Sequence, residues 1–195
     1  MTNSARESIL NSIRTHLAAS APFDVKENYS HSEIPVSLPK SDPIHRFKES
    51  VESVSAHCII TTDVTDAINR IITELKPRRI ANSDNAPNAH DIFDFDVGVS
   101  SAQAAIAETG TLVLDSSCER HRLVSLVPPV HIAVVNASSI CETLSDALAL
   151  LRKDKEISPA VTFITGPSRT ADIELTLAIG VHGPRELFVI VNAAA

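Results

Sequence analysis

The stretch V-T-F-I-T-G-P-S-R-T-A-D-I-E, residues 161–174, decides the fold, because an apolar run (Val161 to Ile164) enters a glycine–proline turn and then a segment with helical spacing. Read locally, this is a strand, a tight turn and a helix start. Gly166 lets backbone N–H groups approach a ligand, Pro167 fixes the turn, and the hydroxyls of Ser168 and Thr170 can cap a helix. Amides at such a helix start attract anions, and Arg169 adds a planar charged fork suited to a carboxylate or phosphate. Asp172 in the first helical turn complements the helix dipole.

The same grammar continues on both sides. Ile173 to Ile179 is predicted helical and Leu187 to Val191 a strand. Upstream, His57 to Thr61, a short strand at Ile80, the alternating Ile92 to Val99, Thr111 to Leu114 and His131 to Val135 read as strands. Val64, Ile68, Ile71, Ile72 and Leu75 carry a helical stripe, and a Ser139/Glu142 capping box starts a helix along Ile140, Leu144, Leu148 and Leu151. Continuous Val/Ile runs imply strands buried on both faces, so the pattern predicts one mostly parallel sheet covered by helices.

Before residue 57 the pattern differs. Ser4 with Glu7 resembles a capping box for an amphipathic helix over residues 5–19, through Ile9, Leu10, Ile13 and Leu17. Residues 20–43 hold Pro22, Pro35, Pro39 and Pro43 and no glycine, as an extended arm would. Asp42 as N-cap and Pro43 at the first helical position start a second helix through Ile44, Phe47 and Val51. The chain thus divides into residues 1–56, two helices and a Pro-rich arm, and residues 57–195, an α/β domain.

Bulk properties narrow the function. At 195 residues and 44% hydrophobic composition the chain can bury a substantial core in one domain. A formal charge of −7 with scattered basic residues argues against a nucleic-acid partner. No apolar run approaches the ~18 residues a membrane helix needs. The polar Met1-Thr2-Asn3-Ser4 lacks a signal-peptide core, so a cytoplasmic location is expected. Cys58, Cys118 and Cys141 are odd in number, far apart and free of any C-x-x-C, which supports neither a disulfide framework nor a self-contained iron–sulfur or zinc site.

Four of the five glycines fall in three short motifs: Glu108-Thr109-Gly110-Thr111, Gly166-Pro167-Ser168-Arg169 and Gly180-Val181-His182-Gly183-Pro184. Glu108 is a candidate polar anchor or base, with hydrogen bonding to neighbouring loop amides as its structural alternative. Arg120, His121 and Arg122 form a local basic patch, and His131 and His182 are candidate ligand or proton-transfer groups. No H-x-x-x-H or H-E-x-x-H pair offers a local metal site. The absence of G-x-G-x-x-G, Walker A and G-x-S-x-G runs disfavours standard dinucleotide, P-loop and hydrolase readings.

Together, A-I-A-E-T-G-T-L-V-L (105–114), Arg122 with S-L-V-P-P-V-H-I (125–132), G-P-S-R-T-A-D-I-E (166–174) and G-V-H-G-P (180–184) resemble the LUD domain of the lactate-utilisation protein C family. The resemblance implies a single Rossmann-like domain related to the NagB/RpiA/CoA-transferase group. It also implies a role in oxidising lactate to pyruvate beside partner subunits that carry the iron–sulfur clusters, this chain holding no cofactor of its own. The candidate ligand site combines Glu108, Thr109, Gly110, Arg122, His131, Gly166, Ser168, Arg169, Thr170, Asp172, His182 and Gly183, around a small anion and without a metal. The three glycine motifs are expected to converge at the carboxyl ends of the strands, where open α/β sheets bind ligands. Two alternatives stand beside this: an independent enzyme acting on an anionic metabolite or nucleotide, and a structural adaptor.

Overall fold

The computed structural model describes residues 3–19, 42–82, 85, 91–116, 122–152, 158, 160–170, 178–179 and 183–194. The chain divides into two compact units, Met1–Pro39 and Lys40–Ala195, so the second unit begins ahead of the residue-57 boundary read from the sequence. In the first unit, helix α1 spans Asn3–Ala19, as the apolar spacing predicts, and it begins before Ser4, the residue read as its cap. The Pro-rich arm lies outside the described residues.

In the second unit, α2 (Pro43–Ser53) starts as expected, with the Asp42 side chain accepting from the Ile44 amide and Pro43 in the first turn. It precedes β1 (His57–Thr61), α3 (Val64–Leu75), β2 (Ile80–Ala81), β3 (Val97–Ala102), β4 (Ala104–Ile106), β5 (Thr111–Asp115), β6 (Val130–Asn136), β7 (Ile140–Cys141), α4 (Leu144–Arg152), β8 (Val161–Ile164), β9 (Arg169–Thr170), β10 (Ala178–Ile179) and β11 (Glu186–Asn192). Five strands form a wholly parallel sheet in the order β1-β11-β6-β3-β2. The α/β fold with a mostly parallel sheet is therefore as the sequence pattern predicts.

Alternation along β6 explains the layers. Ile132 packs with Ile190, Ala67 and Ile71 beneath α3. Ala133 and Val135 face the other way, into a core shared with Phe47 and Val51 of α2 and with Ala105, Leu112 and Leu114. Phe47 and Val51 are fully buried, and burying each such side chain contributes roughly 1.5–3 kcal/mol.

The predicted single sheet is corrected in one respect. Thr111–Leu114 and Val161–Ile164 do not join the parallel sheet; they form a second, mixed sheet in the order β7-β4-β5-β8, with β5 antiparallel to both β4 and β8. The reason is connection length: residues 107–110 are too few to cross over, so β4 and β5 must turn back as a hairpin. Ala104, Ala105 and Ala107 are fully buried, and their small side chains let this second sheet sit between the parallel sheet and α4.

Two helix starts are also corrected. Ile140 and Cys141 pair with Ala105 and Ile106 as a strand, so α4 cannot begin at Ser139. Its capping box is Thr143 with Asp146 instead: the Thr143 amide donates to Asp146 Oδ2, and the Asp146 amide donates to Thr143 Oγ1. After the Gly166 turn, Arg169 and Thr170 pair antiparallel with Ile179 and Ala178 rather than opening a helix. The Ser168 amide donates to the Pro184 carbonyl at 2.8 Å and is not a free helix-terminal donor. The anion site expected at a helix N-terminus is therefore absent from residues 166–170. Residues 171–177 lie outside the described residues.

Candidate functional site

Two of the glycine motifs are shaped by α2. Gly110 (φ +67°) closes the β4–β5 hairpin where a Cβ would lie 2.6 Å from the Val51 nitrogen. Gly166 (φ +77°) follows β8 where a Cβ would lie 2.9 Å from the Val54 carbonyl oxygen, at the end of the same helix. Only glycine combines positive φ with so close an approach at low cost. Ser50 of α2 donates to the Ala107 carbonyl at 2.7 Å, and Arg46 forms a 3.0 Å ion pair with Glu142, tying the helix to the hairpin and to the approach to α4.

The Gly166 turn opens on a cavity of about 300 Å³, into which the sequence brings several candidates at once: His131, Gly166, Ser168, Arg169 and Gly183. Ser125, Leu126, Phe163 and Thr165 complete much of the wall. Ser168 packs directly against Gly183, where a Cβ would sit 3.0 Å from its own. His131 and Leu187 enter from β6 and β11, each one residue past the start of its strand and in register with the other. The cavity thus lies at the amino ends of the central strands, not at the carboxyl ends as expected. The cause is visible in the second sheet, whose β8 delivers the Gly166 turn to that edge.

Arg169 is the cavity's cation. It is exposed, and its Nη2 donates to the Val54 carbonyl at 3.1 Å, which anchors the guanidinium at the cavity wall; among the described residues the other N–H groups of the guanidinium make no hydrogen bond. His131 is fully buried. Its Nε2 lies 2.7 Å from Ser100 Oγ, while Nδ1 has no hydrogen-bond partner. Burial pushes the imidazole down to about 4, so it is neutral at neutral pH. A buried nitrogen left without a partner costs on the order of 1–3 kcal/mol.

A second cavity of about 410 Å³ adjoins the first, sharing Phe163 and Thr165 with it. Glu108, Thr109, Thr111, Ile106, Leu144 and Leu148 line it. Hydroxyls run from Thr109 to Thr111 (2.6 Å) and on to Thr165 (2.7 Å) along the boundary. Glu108 Oε1 accepts from the Leu144 amide at 3.3 Å, so its carboxylate is engaged at the start of α4.

Not every candidate converges. Gly110 is buried beneath α2, Arg122 is exposed and lines neither cavity, and Thr170 lies in β9 just beyond the Arg169 wall. Asp172 and His182 lie outside the described residues. Ser100, Ser125, Phe163 and Thr165 were not read from the sequence as site residues, although alternation along V-G-V-S places Ser100 on the same face as Gly98, the register partner of His131. Cys58 is buried, and that burial together with the Glu52 charge pushes its thiol up to about 11. Among the described residues no group of three or more His, Cys, Asp or Glu side chains could hold a metal ion, and no helix is long and apolar enough to cross a membrane.

Fold and cavity together define an α/β domain in which a mixed sheet delivers a cationic turn to the amino edge of a parallel sheet. Residues 79–191 match the LUD domain, and the chain belongs to that family. It is 46% identical over 98 residues to an uncharacterised protein of Neisseria meningitidis, covering 50% of this chain and 42% of that protein. It is 40% identical over 99 residues to lactate utilization protein C of Bacillus licheniformis (49% and 41% covered) and 39% identical over 101 residues to that of Bacillus subtilis (49% and 42%). The chain spans less than half the length of these curated relatives. Its fold is similar to the crystal structure of a DUF162 family protein from Deinococcus radiodurans, with a TM-score of 0.59 and 22% identity over 79% of this chain and 98% of that one.

Proposed function

We propose that this chain serves lactate utilisation as a non-autonomous, cytoplasmic subunit of a lactate-oxidising complex, binding a small carboxylate in the Arg169 cavity. The observation that carries the proposal is the 40% identity over 99 residues to a lactate utilization protein C. The cavity supplies its chemistry. An anchored guanidinium can take a carboxylate bidentately, and the neighbouring hydroxyls of Ser168 and Thr165 can supply further polar contacts. In this reading electron transfer falls to partner subunits, in keeping with three scattered cysteines that are too few for the four thiolates of an iron–sulfur cluster.

Anaerobic purification from the native cell tests the complex. The expected result is co-elution with proteins containing near-stoichiometric iron and sulfide, and loss of growth on lactate when the gene is deleted, restored by the wild-type chain. Unimpaired growth on lactate together with elution free of iron-containing partners would contradict the proposal and favour an independent enzyme.

A further inference from the structure

Among the described residues, His131 Nδ1 is the one buried side-chain nitrogen or oxygen without a hydrogen-bond partner. Its surroundings do not explain it as packing. The residue in register on β3 is Gly98, where a Cβ would lie only 1.9 Å from the Val124 carbonyl oxygen. The turn carrying Ser125 and Leu126 therefore settles close over the amino edge of the sheet, forming one wall of the cavity that His131 lines. A phenylalanine would occupy a similar volume there with no orphaned polar atom. Ser100, itself buried, holds the opposite nitrogen at 2.7 Å and fixes the ring.

We infer that the Ser100–His131 pair determines specificity in this cavity, selecting a carboxylate that bears a hydrogen-bonding oxygen on the adjacent carbon, with the carboxylate at Arg169 and that oxygen at His131 Nδ1. The inference rests on the proposal that the cavity takes a small carboxylate, and it adds what distinguishes one such acid from another. A 2-hydroxy group both donates and accepts, so it satisfies either imidazole tautomer. A 2-oxo group only accepts, so it requires Nδ1–H and a Ser100 hydroxyl that donates to Nε2. An unsubstituted acid leaves Nδ1 bare. Sites built to hydrogen-bond a ligand oxygen reject analogues lacking it because the site's own polar group is then stranded. Nδ1 is closed off from solvent, so binding moves the side chains around it.

The test is a titration of the full chain, labelled with ¹⁵N in its histidines, with lactate, pyruvate, propionate and phosphate at pH 7. We expect lactate, pyruvate or both to bind at least about tenfold more tightly than propionate, a gap of ~1.4 kcal/mol. We also expect them to shift the His131 Nδ1 resonance. His131→Phe should bring the three carboxylates to equal affinity, and Ser100→Ala should narrow the gap; the wild-type spectra decide the matter if either variant fails to fold. Equal binding of propionate and lactate, with His131 resonances unmoved, would overturn the inference while leaving the carboxylate site standing. If none of the carboxylates binds, the site reading and the inference fall together.

Discussion

The hairpin turn at Gly110 and the turn at Gly166 are built alike and end in different chemistry. Each presents a glycine of positive φ to α2, and each borders a cavity. At the hairpin, the carboxylate of Glu108 is used to receive the first amide of α4, and the adjoining cavity is walled largely by Ile106, Leu144, Leu148 and Phe163. At the Gly166 turn, the cation of Arg169 is braced by the Val54 carbonyl beside a buried, half-partnered imidazole. Glycine therefore marks where α2 docks; the residues beside it give each turn its chemistry.

Removing the helix's anchor should have the largest effect, since both turns depend on it. Phe47→Ala is expected to destabilise the fold by roughly 3–5 kcal/mol in chemical denaturation, the range for a fully buried aromatic. A loss below ~1 kcal/mol would mean that α2 does not hold the turns together.

Acid should act through His131. Because its folded-state value is depressed from 6.5 to about 4, the unfolded chain binds the proton more readily. The contribution is present in full above 6.5 and is lost as pH falls toward 4, by about 3 kcal/mol at that limit. His131→Leu removes this component, so the stability difference between wild type and variant should shift by that amount in favour of the variant between pH 7 and pH 4. A pH-independent difference would show that the ring is not buried and neutral.

The two glycines should then separate. Gly110→Ala forces a methyl against backbone atoms of Ser50 and Val51 and is expected to cost about 2–3 kcal/mol. Gly166→Ala meets one backbone oxygen and the Val54 side chain, which can move, and should cost about 1–2 kcal/mol. Equal losses would remove the distinction between a rigid seat and a yielding one. Smaller still, Glu108→Ala removes the acceptor at the start of α4 and should cost about 0.5–1 kcal/mol in thermal melts; a loss above ~2 kcal/mol would mean the carboxylate does more than receive that amide.

Much of this architecture was legible in the sequence for physical reasons. Asp42-Pro43 starts α2 because the cap and the fixed φ act locally, and His131 to Val135 reads as a buried strand, observed as Val130–Asn136, because both its faces are covered. Assigning Thr111–Leu114 and Val161–Ile164 to the parallel sheet failed because strand partners are chosen by connection length and packing, which apolar content does not encode. The helix start at Ser168 failed because its amide is claimed by Pro184, 16 residues away. In the candidate site, Arg169 could be picked out because a cation beside a glycine turn is a local pattern. Ser100 could not, since its importance comes from a partner 31 residues on. Of the three glycine motifs expected to converge, Ser168 packs against Gly183 while Glu108 lines the adjoining cavity, and the place of the first cavity at the amino ends of the strands is set by β8, which local pattern does not reveal.

Calorimetric titration of lactate into wild type, Arg169→Ala and Arg169→Lys, with thermal melts alongside, decides whether the Gly166–Arg169 turn clamps a small carboxylate. Alanine is expected to weaken binding by about 1.5–3 kcal/mol, and lysine, which keeps the charge but loses the bidentate geometry, to restore only part of it. Stability should change by less than ~0.5 kcal/mol in both. Equal affinity for lactate in all three proteins would show that Arg169 is not the clamp and return the turn to a structural role.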